Sequence, residues 1–329
     1  MADYDVIGIG NAIVDVIFPA TDEFLLTHMI AKSVMTLIDE FRAEQLIAAA
    51  HGASQSSGGS AANTMAGLAS FGATGCFVGK VKNDRLGFSF AEDLQRIGVD
   101  YDTPMSVAGA PTACCVIAVT PDGHRSMSTY LGASRDLTPE DINAKQIGSA
   151  SILYVEGYMW DDEKCKNAIR KAIAACKGAG NKVAFTLSDP FCVGRYREEF
   201  LHLMKEDIDI LFANEEEAKA LFEVDSFVPA LEAVRDWRGL GIITRSEKGC
   251  VVADPSGQVH MQPAEPIAKV VDTTGAGDGF AAGFMYGMSR NHSLQACAQL
   301  GSIAAAEVIS HYGARPEHSL KSLAAKAGL

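Results

Sequence analysis

The stretch Asp272-Thr273-Thr274-Gly275-Ala276-Gly277-Asp278-Gly279-Phe280 decides how the rest of the chain is read. Three small residues run straight into a carboxylate, and a helical pattern follows through Phe280, Phe284, Gly287 and Met288. Glycine lets consecutive backbone N–H groups converge on one point. A helix N-terminus adds unpaired N–H donors and a partial positive charge. Gly275, Ala276 and Gly277 therefore form a concave anion site, with Asp278 at its lip. A carboxylate beside a phosphate cradle repels the ligand unless it has a task. The fitting task is to take a proton from a hydroxyl that attacks phosphorus. An acid in a first helical turn is also favourable without chemistry, but a cap needs one small residue and not a run of them. The stretch reads as a phosphotransferase site acting on an alcohol.

Working outward, 329 residues with 48% hydrophobic and 21% charged content suit one large soluble domain. The formal net charge of −13 makes nucleic acid and anionic membrane poor partners. It also means that a polyanionic substrate needs local backbone dipoles. The eight cysteines show no C-x-x-C spacing, zinc pattern or small disulfide framework. The N-terminus, Tyr4-Asp5-Val6-Ile7-Gly8-Ile9-Gly10, has no basic region before an apolar run, and no span of about 18 apolar residues occurs. A cytoplasmic protein with reduced thiols is expected.

Val6–Ile9 reads as a buried strand. Residues 13–18, 33–38, 101–107, 113–120 and 125–131 also read as extended, the last two forming a hairpin around Pro121-Asp122-Gly123. Helices at 59–71 and 86–97 enclose a strand at 74–80. Beyond about residue 135 strands at 151–156, 182–187, 208–212, 240–244 and 249–253 alternate with helices at 162–177, 195–205, 214–222, 227–237, 276–289 and 293–311. Alternation of this kind predicts an α/β fold with a mostly parallel central sheet flanked by helices. The surplus strands predict a small β-sheet lid from inserts at about 11–38 and 99–132. The core would then be about 1–10, 39–98 and 133–329, all within one domain.

Other constellations each carry two readings. Gly8-Ile9-Gly10-Asn11-Ala12-Ile13 begins like a dinucleotide fingerprint but has Ile13 where the third glycine belongs. Asn11 and Asp15 are polar among apolar neighbours, so Asp15 either faces outward from a strand or aims at ligand hydroxyls. In Ser56-Ser57-Gly58-Gly59-Ser60-Ala61-Ala62-Asn63, Ser60 could cap a helix, or Gly58 and Gly59 could admit a ligand that Asn63 then binds. Asn214-Glu215-Glu216-Glu217 is explained by helix capping, or by a place near a magnesium–phosphate water shell. Thr244 ends a strand where open α/β sheets bind ligands, although Thr244 to Gly249 is equally a plain turn. The histidines lack metal spacing.

Together these pieces resemble the ribokinase (PfkB) family of carbohydrate and nucleoside kinases. Gly58-Gly59-Ser60-Ala61-Ala62-Asn63 and Asp272-Thr273-Thr274-Gly275-Ala276-Gly277-Asp278 match its two signatures. Asn214-Glu215-Glu216-Glu217 is similar to its N-x-x-E element, and Pro121-Asp122-Gly123-His124-Arg125 resembles its lid hairpin. Gly10-Asn11-Ala12-Ile13-Val14-Asp15 and the stretch Phe185–Phe191 are similar to the adenosine kinase branch, with Ala12 in place of a proline. The resemblance implies a ribokinase-like three-layer sandwich with a β-lid. It implies ATP-dependent phosphorylation of the adenosine 5′-hydroxyl to AMP, a purine-salvage activity, with a sugar kinase (ribose, fructose or keto-acid sugar) as the alternative. Asp278 would be the base, and Gly275, Ala276 and Gly277 the anion hole. Asn11, Asp15, Gly58, Gly59 and Asn63 would hold the acceptor's diol, with Tyr158 and Phe191 enclosing the base. Asn214, Glu217, Thr244 and Gly249 would serve ATP. Glu217 would face Mg²⁺ through water, and Asp272 and Thr274 would leave room for K⁺. Partners would be small molecules, the chain being a monomer or a homodimer. One departure is Ser246, which stands where the family's T-x-G-x-x-G turn has its middle glycine.

Overall fold

The computed structural model describes residues 2–329 apart from Arg238. Among them, strands β1 to β14 run over Tyr4–Ile9, Ile13–Pro19, Met35–Leu37, Ser54–Gly58, Gly75–Val78, Val99–Asp100, Ala113–Val119, Arg125–Tyr130, Ala150–Glu156, Lys182–Thr186, Ile210–Asn214, Leu240–Thr244, Cys250–Ala253 and Val259–Gln262. Helices α1 to α12 span Asp22–Thr27, Glu40–Ala49, Ser60–Phe71, Arg85–Arg96, Ala144–Gly148, Glu163–Gly178, Pro190–Glu206, Glu215–Phe222, Phe227–Trp237, Ala276–Ser289, Leu294–Val308 and Leu320–Lys326. None of these helices is long and apolar enough to cross a membrane.

Nine strands form one sheet in the order β14-β13-β12-β11-β10-β9-β1-β5-β6. All neighbours are parallel except β12–β13 and β13–β14. Parallel strands are buried on both faces, and the alternation of their side chains builds two cores. Val6, Tyr154, Ile210, Phe212 and Ile242 face one way with Met65, Phe284 and Cys297 of α3, α10 and α11. Ile7, Ile9, Leu153, Phe185 and Ile243 face the other way with Ile169, Phe200, Leu221 and Val234 of α6 to α9. The result is an α/β three-layer fold, as the alternating pattern predicts.

A second sheet has the order β3-β8-β7-β2-β4. The 113–131 hairpin forms as expected, from Cys114 opposite Tyr130 to Val119 opposite Arg125. Two details differ from the sequence reading. Residues 101–107 make only an isolated bridge, at Ser106, after the two-residue β6. Pro104 removes a ladder donor from that segment, and Val107 points to solvent. Conversely, Ser54–Gly58, placed in the core by sequence, is a strand of the second sheet and pairs antiparallel with β2. Its run of serines hides the strand signal.

Chain direction around β1 sets the site. β9 to β12 extend to one side of β1 and β5 to the other, so the order reverses there. Open α/β sheets bind ligands at the carboxyl ends of strands at such a switch point. Gly10 and Asn11 leave β1 at that place, and Glu156 closes β9 beside them.

Candidate active site

Helix α10 begins at Ala276, with Gly275 as its N-cap at φ 79° and no side chain satisfying the first turn. The Ala276 N–H donates to the Thr273 carbonyl at 3.2 Å, and the other N–H groups of that turn border a cleft of about 260 Å³. Gly275, Ala276, Gly277 and Asp278 form one wall, Asn214 and Glu217 another, and Ser60, Tyr158 and Thr244 are among the other lining residues. Seven residues singled out from distant parts of the sequence for phosphate chemistry thus share one cavity.

Asp278 is held from α3. The Ser60 hydroxyl donates to Oδ1 at 2.6 Å, and Asn63 Nδ2 donates to Oδ2 at 3.3 Å. Ser60 does not cap α3, as its position suggested. Gly59 is the N-cap and the Ser60 hydroxyl turns to Asp278. Burial pushes the Asp278 carboxyl up to about 6, against the lowering effect of the Ser60 and Asn63 hydrogen bonds. A helix N-terminus favours the ionised form, but desolvation outweighs it here.

Asn214 and Glu217 form a reciprocal capping box at the start of α8. Asn214 Oδ1 accepts from the Glu217 N–H at 2.8 Å, and Glu217 Oε2 accepts from the Asn214 N–H at 2.9 Å. The capping reading and the cleft reading therefore both hold in space. Burial pushes Glu217 up to about 7. Thr244 ends β12 and donates to the Ala213 carbonyl at 3.5 Å. Gly249 lies outside the cleft. Its φ of 81° and its closeness to the Gln262 carbonyl serve the turn into β13. Ser246 adopts φ 51°, so the left-handed bend is kept without the glycine.

A second group adjoins the first through Asn63. Gly59, at φ 95°, lies against the Asn11 carbonyl, where a Cβ would collide. A Cβ on Gly58 would come within 2.5 Å of the Asp15 carboxylate. The two glycines thus admit parts of this chain, and through them bring Asn11 and Asp15 to the start of α3. Asp15 sits on the β2 face away from Val14 and Val16, and no hydrogen bond reaches its carboxylate among the described residues. Burial pushes it up to about 6, opposed by the charges of Arg315 and Arg125.

Sequence reasoning passes over Glu156. This buried carboxylate accepts from the Asn11 N–H at 2.8 Å, from Asn11 Nδ2 at 2.9 Å and from the Ala61 N–H at 2.8 Å. It ties β1, β9 and α3 together and holds Asn11 through its backbone N–H and side-chain Nδ2. An acid at the carboxyl end of an apolar run was the available signal. Arg125 and Arg315 were missed as well. Arg125 of β8 is ion-paired with Asp272, and both side chains are buried.

Two expected arrangements do not form. Phe191, the second residue of α7, is 81% exposed and lines no part of the cleft. Helix α7 starts at Pro190 with Asp189 as its N-cap, which turns residue 191 outward. Tyr158 does line the cleft, with its hydroxyl donating to the Ser188 carbonyl at 3.3 Å. The carboxylate of Asp272 accepts from the Thr274 N–H at 3.0 Å, the Thr274 hydroxyl at 2.7 Å, the Gly313 N–H at 3.1 Å and Arg125. That set fills the lone pairs of a carboxylate and does not fit a K⁺ ion at Asp272. No cluster of three or more His, Cys, Asp or Glu able to hold a metal occurs among the described residues. A water-bridged Mg²⁺ fits better, because Glu217 lines the cleft while keeping its capping bonds.

Known proteins align with this geometry. The structure of a probable sugar kinase protein from Rhizobium etli superposes with a TM-score of 0.91 at 44% identity, covering 100% of this chain and 99% of that one. The adenosine kinase of Sinorhizobium meliloti gives a TM-score of 0.90 at 45% identity, covering 99% and 100%. Probable fructokinase-6, chloroplastic, of Arabidopsis thaliana is 31% identical over 255 residues, 72% of this chain and 63% of that protein. A family model described as pfkB family carbohydrate kinase matches residues 29–320. With the glycine-rich anion cradle, its adjoining carboxylate and full-length likeness in agreement, the chain belongs to the pfkB family of carbohydrate kinases and is a phosphotransferase of that family.

Proposed function

We propose that this chain transfers the terminal phosphoryl group of ATP to the 5′-hydroxyl of adenosine, giving AMP. The observation that carries the chemistry is Asp278, half-buried and hydrogen-bonded at the first turn of α10, beside the backbone N–H groups of Gly275 to Gly277. Asp278 accepts the hydroxyl proton as the phosphoryl group leaves ATP. The N–H groups stabilise the charge spread over the transferring oxygens. A carboxylate raised to about 6 is a better base than an ordinary aspartate and remains ionised at neutral pH. Mg²⁺ near Glu217 would neutralise phosphate charge when bound. Asp15 and Asn63 offer an acceptor and an amide to the ribose diol. The second sheet acts as a lid that closes over the acceptor and excludes water.

The adenosine reading draws on the 45% identity to the Sinorhizobium protein over the full chain. A sugar acceptor is the second reading. It is favoured by the exposure of Phe191, which leaves no aromatic plane from α7 over the acceptor. ADP release measured with adenosine, inosine, ribose and fructose separates the two. Adenosine is expected to give the highest kcat/KM, by about tenfold or more, as a site built to hold a whole nucleoside requires. A preference for ribose or fructose overturns the proposal in favour of the sugar reading.

Gly58 provides a further test. A methyl group at this position displaces the Asp15 carboxylate, so Gly58→Ala should raise the KM of the acceptor about tenfold, the cost of one weakened charged hydrogen bond. The KM for ATP should stay near its original value. Equal changes in both constants would remove Asp15 from the acceptor site.

A further inference from the structure

Arg315 lies in the loop after α11, between Ala314 and Pro316, where no motif marks it. Its guanidinium reaches two other elements. Nε donates to Asn63 Oδ1 on α3 at 3.3 Å, and Nη1 donates to Asp93 on α4 at 2.9 Å. Asp93 is held in turn by the Ser57 N–H at 2.8 Å, the Ser57 hydroxyl at 2.6 Å and Arg96. The third nitrogen, Nη2, is buried and has no acceptor among the described residues. A buried donor without a partner costs free energy, so fold stability alone does not explain this placement.

The geometry has a consequence at the reacting centre. An asparagine amide has one accepting end and one donating end. With Arg315 Nε on Oδ1, the NH₂ group must point the other way, and there it meets Asp278. A relay therefore runs from Asp93 through Arg315 and Asn63 to the base. Arg315 also faces Asp15, together with Arg125 and the thiols of Cys114 and Cys115. Arginine suits this double duty, because its planar fork fixes direction as well as charge.

We propose that Arg315 is a positioning residue for the phosphoryl acceptor: it sets the amide of Asn63 toward the base and keeps Asp15 ready for the acceptor's hydroxyls. The proposal rests on the kinase reading above but not on the identity of the acceptor. Full-length Arg315→Met, Arg315→Lys and Asp93→Asn are assayed with ATP and whichever acceptor the unaltered enzyme phosphorylates. A wrong acceptor assignment shows in the unaltered enzyme, and a wrong role for Arg315 only in the variants.

Arg315→Met is expected to raise the acceptor KM about tenfold or more, with the KM for ATP within about twofold, in line with loss of a charged hydrogen bond on one substrate only. The acid limb of acceptor kcat/KM should move to higher pH, because Asp15 loses one of its two facing arginines. Arg315→Lys keeps charge but not the fork. It should restore the acid limb and not the KM. Asp93→Asn retains an acceptor for Ser57 while loosening Arg315, and should move the KM in the same direction by less. It carries the test if Arg315→Met fails to fold. An unchanged acceptor KM in folded variants, or equal rises for ATP and acceptor, would show that Arg315 only staples its loop to α3 and α4.

Discussion

Asp278→Asn should lower turnover about 100-fold or more, the range for loss of a positioned base, while the KM for ATP changes little. The separation follows from where the parts sit. The N–H groups of Gly275 to Gly277 belong to the backbone and survive the substitution. Asn keeps an oxygen that accepts from Ser60 or Asn63. The proton acceptor is lost, together with one of the two hydrogen bonds to the side chain. In the unaltered enzyme, turnover should fall as pH drops through about 6, because protonating Asp278 disables it. Stability runs the other way. The native carboxyl is raised to about 6 from an ordinary 3.8, so above that range the folded state carries a buried charge that the unfolded chain solvates freely. The penalty is absent below about 3.8, grows between the two values and is complete at neutral pH, where it amounts to about 2–3 kcal/mol. Asp278→Asn removes it, so the variant should melt about 3 °C or more above the parent at pH 7.5. Near-normal turnover would strip Asp278 of the base role. Lost turnover with a lower melting temperature would trace the defect to folding instead.

Much of the large sheet was legible in the sequence because its signal is periodic. Apolar runs such as Ile152–Val155 and Ile210–Ala213 alternate with helices whose buried faces recur at helical spacing, and parallel strands need those crossovers. Ser54–Gly58 carried no such signal. It is a polar strand recruited by pairing with β2, and pairing is a tertiary fact. Tyr101, Thr103, Met105 and Val107 alternate like a strand, yet Pro104 denies them a ladder.

The candidate site divides along the same line. Gly275 to Asp278, Asn214 and Glu217 were legible because each stands at a helix start, where local chemistry betrays them. Glu156, Arg125 and Arg315 act across 95 residues or more of chain, as the Ala61–Glu156 bond does, so no local window holds both partners. Phe191 misled for the converse reason. Its neighbours matched a pattern, but the direction of a side chain in a first turn is set by the cap, here Asp189, and not by composition.

Gly275→Ala should lower turnover about 100-fold, as a displacement near 1 Å of a reacting group does, and should cost about 2–4 kcal/mol of stability. Two independent facts require glycine there. The residue adopts φ 79°, a conformation that a Cβ resists. An added Cβ would also stand 2.6 to 2.8 Å from the Cβ, Cα and carbonyl oxygen of Ala314. Ala314 lies between Gly313, whose N–H binds Asp272, and Arg315, which holds Asn63. The loop cannot yield without disturbing both, and the N–H groups of Ala276 and Gly277 shift with the N-cap. Gly277→Ala is the comparator. Its φ is not positive and its added Cβ meets nothing within 4 Å, so its melting temperature should equal the parent's. Measuring turnover per folded molecule separates strain from chemistry. If Gly275→Ala loses stability but its folded fraction transfers phosphate at the parental rate, the amides before α10 do not stabilise the migrating group, and the phosphoryl site lies elsewhere in the cleft.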